Sequence, residues 1–471
     1  SAGAASRRSG RWVEAAVTIK QGEGPSRGAI VAEETATGPI ASMRLLLITE
    51  RCLRETAALG TPRASGPLQI LHRGGGDASF VGVDVVPERW LADRAMFGGT
   101  RGTVRCGLTG DLAAFELAPV FRDALAPLVS RGLVAIVAGG ADVAAAAVAS
   151  PVVTHVHLTG GQAAFDAITW GPGGPRPGAA PTLAKPITCE LGGVTPWIVV
   201  PGGYTPAQLR TQADLVAGSV LNNTSFNCIA TKCVITCRSW PQRAEFTALV
   251  ERRLADSPPR RGWYPGAPAA WEEVAGIRPP PDGTLPWVFR TGIDPEREPR
   301  WLEREWFVPV AVETPLDADD MEAFCSRAMA VVRRLPGSLA ASVTVPDGMP
   351  PHDRHRVERF VEHLEYGTVG INTWSALGYA LGSLPWGGFP GGTLAEPRSG
   401  IGFVHDPLCL PLIHNSILRG PLAERSTPPW LPWHRHGAAL ARGVVEVYAS
   451  LARGRSGLWP LTKMLPQVLA G

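Results

Sequence analysis

The sequence predicts an α/β fold, and two stretches of the chain carry that prediction. Residues 133–161 show a short apolar run, a Gly139-Gly140 turn, an alanine-rich stretch and a second apolar run that ends in Thr159-Gly160-Gly161. This alternation is typical of a β-α-β unit, and glycine-rich turns at strand ends are where open α/β sheets bind ligands. Residues 187–237 continue this alternation with a predicted strand, turn, strand, helix and strand. The chain of 471 residues is long enough for two or three domains.

In the amino-terminal half, apolar periodicity predicts six elements. In chain order they are a helix over 29–59, a strand over 80–86, a helix over 115–129, a strand over 133–137, a helix over 143–149 and a strand over 152–158. Asp142 can cap the alanine-rich helix, because its side-chain oxygen can accept a hydrogen bond from an N–H of the first turn. Pro151 ends that helix.

In the carboxyl-terminal half the same reading predicts strands and helices separated by proline-rich loops. They are a strand–turn–strand over 187–200, a helix over about 206–221, a strand over 233–237, loops over 257–300, strand–helix patterning to about 405 and an amphipathic helix over about 437–452. That last helix has apolar and basic residues with Trp nearby, which suits either a membrane surface or the protein's own core or dimer partner. We favour the second interpretation.

Composition excludes several classes of protein. Hydrophobic residues make up 45% and charged residues 18% of the chain, which excludes a disordered or fibrous protein. The 45 basic and 42 acidic residues leave a net charge of +3, too little for a nucleic-acid-binding field. The eight cysteines are too dilute for a disulfide scaffold and contain no C-x2-C pair, so neither disulfides nor zinc is expected. Ser1–Arg11 has no apolar run, and we expect a cytoplasmic protein.

Two residues in this α/β stretch form a candidate catalytic pair. Cys228 follows the predicted helix 206–221 in a polar loop, where backbone N–H groups favour a thiolate nucleophile. Glu190 ends a predicted strand just before Leu191-Gly192-Gly193, and a carboxylate beside a thiol can act as a general base for water. A small buried cysteine without catalytic function remains the alternative for Cys228 at this point.

Five motifs in order resemble those of the aldehyde dehydrogenase superfamily, over about residues 120–407. The catalytic pair of that family is matched by Glu190-Leu191-Gly192-Gly193 and Asn227-Cys228. The others are Val156-His157-Leu158-Thr159-Gly160-Gly161, Glu305-Trp306-Phe307-Val308-Pro309-Val310, and the closing pair Gly367-Thr368-Val369-Gly370-Ile371-Asn372-Thr373 and Pro385-Trp386-Gly387-Gly388. The segments around Glu190 and Cys228 resemble a divergent bacterial branch.

The resemblance implies a domain organisation and a reaction. It implies a Rossmann-type cofactor domain over residues 1–190, an α/β catalytic domain over 191–405 and a carboxyl-terminal tail over 406–471. It also implies oxidation of a small-molecule aldehyde with NAD or NADP. Family members assemble through a strand and a tail, so a homodimer or homotetramer is expected.

The same resemblance assigns a role to each matching residue. Cys228 would attack the aldehyde, Glu190 would activate the water that releases the acid, and Asn227 would help the Cys228 N–H to stabilise the oxyanion. The cofactor-binding residues would be Gly160 and Gly161 at the phosphates, Leu191 beside the nicotinamide, Glu305 at its ribose and Phe307 packed near it.

Departures from the family pattern leave the function open at this stage. The family has an oxyanion-hole asparagine upstream in its sequence, but in this chain no asparagine precedes Asn222. The family also has a lysine near the adenine ribose, but no lysine lies between Lys20 and Lys185. The region 104–120 is too short for a complete β-α-β unit. A non-catalytic subunit or damaged gene product, and an acyl-thioester reductase that needs Glu190 less, therefore remain alternatives to a weak dehydrogenase.

Overall fold

A computed structural model gives the fold of this chain. It describes residues 14–19, 29–30, 68–70, 83–85, 105–108, 122–130, 135, 141–151 and 153–469, with gaps at 265, 382–383, 407–412 and 425.

The described strands and helices alternate along the chain. The strands are β1 Glu14–Ile19, β2 Ala29–Ile30, β3 Leu68–Ile70, β4 Val83–Val85, β5 Arg105–Leu108, β6 His155–Gly160, β7 Ile187–Leu191, β8 Thr195–Val199, β9 Thr231–Cys237, β10 Arg260–Arg261, β11 Thr284–Leu285, β12 Val288–Arg290, β13 Val310–Leu316, β14 Ala340–Thr344, β15 Thr368–Ile371, β16 Gly400–Ile401 and β17 Ile413–Arg419. The helices are α1 Ala126–Val129, α2 Ala141–Ala149, α3 Gln162–Trp170, α4 Pro206–Leu221, α5 Arg243–Ala255, α6 Ala267–Ala275, α7 Met321–Val332, α8 Pro351–Glu362, α9 Leu377–Ala380, α10 Gly437–Ala452 and α11 Leu458–Leu469, with 3₁₀ turns at Asn222–Ser225 and Pro299–Trp301.

The larger sheet has nine strands in the order β12-β13-β9-β8-β14-β15-β17-β1-β2. The run from β12 to β17 is parallel, and β1 and β2 extend it antiparallel. Every residue of β9, β13 and β14 is buried. Strands buried along their whole length are typical of a parallel sheet whose two faces are both covered.

A smaller sheet of four strands lies beside it, in the order β16-β7-β6-β5. Strands β5, β6 and β7 are parallel, and β16 pairs antiparallel with β7 so that Gly400 faces Glu190. This sheet has its own hydrophobic core, which includes Val156, Leu158 and Phe165. The two sheets therefore bring separate cores to the region where β7 ends and β8 begins.

The predicted α/β class is confirmed, and several predicted elements match the structure. Helices α4 and α10 have the bounds that apolar periodicity indicated, and β7 and β8 form the predicted strand–turn–strand. The predicted strand over 233–237 begins two residues earlier, at Thr231. Lys185 donates hydrogen bonds to the carbonyls of Val148 and Ser150 at the end of α2, which satisfies groups that a helix end leaves open.

Other predictions need correction, and one stays a prediction. The predicted strand over 133–137 lies outside the described residues except for residue 135. The region 257–300, expected to be loops, contains helix α6, which buries Trp271, and the short strands β10 to β12. Strand β17 and helix α11 were not predicted, because their flanking proline-rich segments hide the periodicity.

Part of the amino-terminal prediction lies outside the described residues. Of the predicted helix 29–59 the structure describes only Ala29–Ile30, as strand β2, and of the strand 80–86 only β4. The helix over 115–129 is described from residue 122 onward, where α1 forms its end. The shortened region 104–120 is described only as strand β5.

Candidate active site

Glu190 lies in β7, between the neighbouring strands β6 and β16, and its side chain is only 2% exposed. The chain just after it is tightly packed, because a Cβ at Gly193 would lie 2.7 Å from the Pro336 carbonyl oxygen. The Leu191 N–H donates to the Ser399 carbonyl at 2.8 Å. These contacts fix the end of β7 and with it the backbone that carries the carboxylate.

Cys228 lies in the loop between α4 and β9, and this loop has an unusual backbone. Asn223, Thr224 and Ser225 have φ angles of 50°, 57° and 63°, in the left-handed region that residues with a side chain rarely adopt. Each such residue costs about 1–3 kcal/mol and persists only where its surroundings hold it. Here Ser225 Oγ donates to Val220 O at 2.7 Å, and Asn223 Nδ2 donates to Phe226 O at 2.8 Å. Backbone strain of this kind clusters at functional sites.

The structure brings Glu190 and Cys228 together. Cys228 Sγ lies 3.7 Å from Glu190 Oε1, and the thiol is only 8% exposed. The Trp386 indole N–H donates to the same oxygen at 2.8 Å. A nucleophile beside a buried carboxylate that is itself held by a further donor is the arrangement that nucleophilic catalysis requires. The sequence placed Trp386 in a motif but gave it no role.

Asn227 uses its amide group inside the loop. Its Nδ2 donates to the Asn222 carbonyl at 3.1 Å and to Asn222 Oδ1 at 3.3 Å, and its Oδ1 accepts from the Ile229 N–H at 3.1 Å. These bonds shape the loop around Cys228 and turn the amide nitrogen toward Asn222. The oxyanion role predicted for Asn227 stays a prediction, and its amide would have to leave Asn222 to perform it.

The partly buried Glu305 carboxylate acts electrostatically on Lys232, which is 4% exposed. A Cβ on Gly192 would overlap the Glu305 carboxylate, so a larger residue at that position would displace this carboxylate. Burial lowers the pKa of Lys232 to about 7, and Glu305 opposes part of that shift. Lys232 Nζ also donates to Val308 O at 2.8 Å. Sequence analysis missed Lys232, although a lone lysine within an apolar strand was a usable signal.

Phe307 belongs to an aromatic cluster beside the loop that carries Cys228. Its ring centroid lies 5.1 Å from that of Tyr264 and 6.0 Å from that of Phe226, two positions before Cys228. Trp263 packs against Phe226 at 5.3 Å. The predicted Glu305-x-Phe307 segment therefore lies against the same loop as the thiol.

His405 is a second group that sequence analysis missed. Burial lowers the pKa of His405 to about 4, although the neighbouring Glu190 carboxylate opposes the shift. Its ring also stacks against Tyr379 at 5.3 Å. His405 is therefore neutral at pH 7 and adds no positive charge beside Glu190.

Gly160, Gly161 and Leu191 lie at the ends of adjacent parallel strands. Gly160 ends β6 and pairs in register with Leu191 of β7. Gly161 is the N-cap of the nine-residue helix α3, and a Cβ placed there would meet nothing within 4 Å. A helix N-terminus without a side-chain cap, reached through open space, is a suitable place for an anion.

Comparison with protein-family models finds a similarity over part of the chain. Residues 95–257 match the model described as "Aldehyde dehydrogenase family", and this range contains both Glu190 and Cys228. The similarity to the aldehyde dehydrogenase family is therefore shown for residues 95–257 of the chain. A search of curated proteins by sequence found no match.

Solved aldehyde dehydrogenase structures share the fold. The substrate-bound AldH of Staphylococcus aureus aligns with a TM-score of 0.52 at 13% identity, covering 86% of this chain and 85% of that one. An NADP-dependent glyceraldehyde-3-phosphate dehydrogenase from Bacillus halodurans, complexed with NADP, aligns at 0.50 and 18% identity, covering 80% and 79%. An aldehyde dehydrogenase from Mycobacterium tuberculosis, complexed with NAD+, aligns at 0.50 and 19%, covering 78% and 74%.

The described residues of this chain include groups that fit a nicotinamide cofactor. The open N-terminus of α3 at Gly161 suits a phosphate, and the Glu305 carboxylate beside Gly192 suits a ribose hydroxyl. In the described part of the chain, no group of three or more His, Cys, Asp or Glu side chains could hold a metal ion. None of the described helices is long and apolar enough to cross a membrane.

Proposed function

We propose that this chain oxidises an aldehyde to a carboxylic acid with NAD or NADP, through a thioester on Cys228. The observation that carries the proposal is the 3.7 Å approach of Cys228 Sγ to Glu190 Oε1 in a buried site. The similarity of residues 95–257 to the aldehyde dehydrogenase family supports the reaction class, and the strained loop before Cys228 supports a functional role for that segment.

In the first stage Cys228 is the nucleophile. Its thiolate sulfur forms a bond to the aldehyde carbon, and the carbonyl electron pair moves to oxygen, which gives the oxyanion of a thiohemiacetal. The backbone N–H of Cys228 can donate to the developing oxyanion. A nicotinamide held beside Leu191, Glu305 and Phe307 would supply the hydride acceptor, and the carbon that loses its hydride would stay bonded to the sulfur of Cys228 as a thioester.

In the second stage Glu190 acts as the general base. It takes a proton from water as the water oxygen attacks the thioester carbon, and the carbon–sulfur bond breaks to release the acid and the Cys228 thiolate. The burial of Glu190 and its hydrogen bond from Trp386 support this role, because a base must be oriented to within hydrogen-bond reach of the proton that it removes.

The residues that would hold the cofactor come from three segments. Gly160 and Gly161 would leave room for its phosphates at the N-terminus of α3. Glu305 would bind the nicotinamide ribose hydroxyls, while Leu191 and Phe307 would pack beside the ring. Two contacts support this assignment, because they bring the three segments together. Gly160 pairs in register with Leu191, and the Glu305 carboxylate lies close against Gly192.

The oxyanion site of the proposed enzyme is weak. The Asn227 amide is engaged by Asn222, and no asparagine precedes Asn222 in the sequence. Loss of one oxyanion donor typically costs about 10²–10³ in kcat. We therefore expect turnover below the enzyme median of about 10 s⁻¹. By analogy with the family we also propose a homodimer or homotetramer in the cytoplasm.

The nucleophile is tested by comparing three cysteine variants. Cys228→Ala should abolish aldehyde-dependent formation of reduced cofactor. Cys233→Ala and Cys237→Ala are matched controls on the following strand and should keep most activity. Burial raises the pKa of Cys233 to about 12, which makes it a poor nucleophile.

A cofactor-binding titration on each purified variant separates loss of chemistry from loss of the fold. Equal loss of activity in all three variants would contradict the nucleophilic role. A wild-type chain that binds neither NAD nor NADP would instead indicate a non-catalytic subunit. Normal steady-state turnover in Glu190→Gln would favour an acyl-thioester reductase.

A further inference from the structure

Trp386 and Cys228 converge on one oxygen of the candidate base. The Trp386 indole N–H donates to Glu190 Oε1 at 2.8 Å, and Cys228 Sγ lies 3.7 Å from that same atom. Hydrogen bonds to an ionised carboxylate are shorter and about twice as strong as those between neutral groups. The indole therefore fixes the oxygen that faces the thiol.

The indole is itself held rigidly. The Trp386 backbone N–H donates to the His405 carbonyl at 2.8 Å, and the Trp386 carbonyl accepts from the Val404 N–H at 2.7 Å. The Tyr379 ring packs edge-on against the indole, with ring centroids 5.4 Å apart. Trp386 is 0% exposed. A donor with its backbone and ring both fixed can orient the group that it binds.

Gly387 and Gly388, which follow Trp386, allow the segment that carries the indole to lie close to β7. A Cβ on Gly387 would lie 2.8 Å from the Gly402 carbonyl oxygen, and a Cβ on Gly388 would lie 2.9 Å from the Gly400 nitrogen. Gly400 is the strand partner of Glu190. The indole and the carboxylate are therefore anchored to the same short stretch of backbone, so their separation is set by the fold.

We propose that Trp386 is a positioning residue that holds the Glu190 carboxylate against Cys228. This inference rests on the proposed function, in which Glu190 must act at the sulfur-bound carbon. Trp386 makes and breaks no bond in the reaction. Its contribution is the indole N–H, which a phenyl ring filling the same space would lack.

Steady-state kinetics of Trp386→Phe test the role of the N–H. We expect kcat to fall about tenfold, the equivalent of one hydrogen bond to a charged group, because hydrolysis of the thioester loses its oriented base. The KM for the cofactor should stay within about twofold of wild type, since Trp386 is not among the cofactor residues. Trp197→Phe is the matched control, because Trp197 is equally buried but donates to Thr344 Oγ1 at 2.9 Å.

A double-mutant cycle with Glu190→Ala tests whether Trp386 acts through Glu190. The Phe substitution should change kcat by less than about twofold once the carboxylate is absent. The rate of Cys228 alkylation by iodoacetamide, measured without cofactor, is a second readout of the same cycle. The Phe substitution should change this rate when the Glu190 carboxylate is present and leave it within about twofold when the carboxylate is absent. This second readout decides the inference even if the wild type has no dehydrogenase activity, in which case only the proposed function fails.

Two results would overturn the inference. One is a kcat and an alkylation rate that Trp386→Phe leaves unchanged. The other is a Phe substitution that lowers kcat by the same factor whether or not the Glu190 carboxylate is present. Should the phenyl variant fail to fold, benzothienylalanine at position 386 keeps the shape of the indole and replaces its N–H by sulfur. The same predictions apply to that variant.

Discussion

The amino group of Lys232 lies in the buried space between the loop that carries Cys228 and the segment 305–308. It is 4% exposed, and its Nζ donates to Val308 O at 2.8 Å and approaches Ser225 O at 3.5 Å. It therefore connects the strained residues before Cys228 with the segment that carries Glu305 and Phe307. A buried lysine is costly when charged, which makes this connection sensitive to pH.

The free energy of unfolding should depend on pH through Lys232. Its pKa of about 7 in the folded chain lies below the ordinary value of 10.5, so between these pH values the unfolded chain binds more protons. The wild type should therefore gain stability as the pH rises from 7 to 10.5, a gain that Lys232→Met lacks. Urea denaturation of both proteins at pH 7 and pH 9.5 measures the difference. Parallel pH profiles would contradict this account of Lys232.

At the scale of elements, β7 and the turn after it do most to organise the site. This strand carries Glu190 and ends at Leu191, and the turn brings Gly192 against the Glu305 carboxylate. The sequence predicted this strand, the glycines after it and helix α4, because apolar runs and turn residues are local signals. It could not predict the bond from Trp386 to Glu190 or the burial of Lys232, which depend on contacts between distant segments.

The close packing at Gly192 gives a test of the cofactor assignment. Gly192→Ala should displace the Glu305 carboxylate, because the new Cβ would overlap it. We expect weaker NAD or NADP binding by roughly tenfold, the equivalent of one hydrogen bond to a charged group, with a smaller effect on Cys228 alkylation. Gly203→Ala is the control, since a Cβ there meets nothing within 4 Å. Equal cofactor affinity in all three proteins, measured by fluorescence titration, would remove Glu305 from the cofactor site.

At the scale of the whole molecule, the proposed catalytic pair joins two sheets with separate cores. Glu190 comes from the four-stranded sheet, and Cys228 belongs to the core of the nine-stranded sheet. Their alignment depends on contacts between the sheets, such as the 2.6 Å hydrogen bond from Ser338 N–H to Ser399 Oγ. The geometry of the site is therefore a property of the assembled fold.

The carboxyl-terminal helices form a unit of their own. Leu440 and Val447 of α10 pack against Leu461 and Met464 of α11. Val445 of α10 and Trp459 of α11 are nevertheless 66% and 70% exposed, so the interpretation that α10 packs within the protein or on a dimer partner stays a prediction. The sequence predicted α10 but not its partner, because Pro460 and Pro466 obscure the helical pattern of α11.

The most direct test of the central claim is a rapid-mixing experiment on Glu190→Gln beside the wild type. With aldehyde and cofactor, the variant should give a burst of reduced cofactor approaching one per active site, followed by turnover far slower than in the wild type. Mass spectrometry of the quenched variant should find the acyl group on the peptide that contains Cys228. Normal steady-state turnover without a burst, or an acyl group on another residue, would contradict the thioester mechanism built on Cys228 and Glu190.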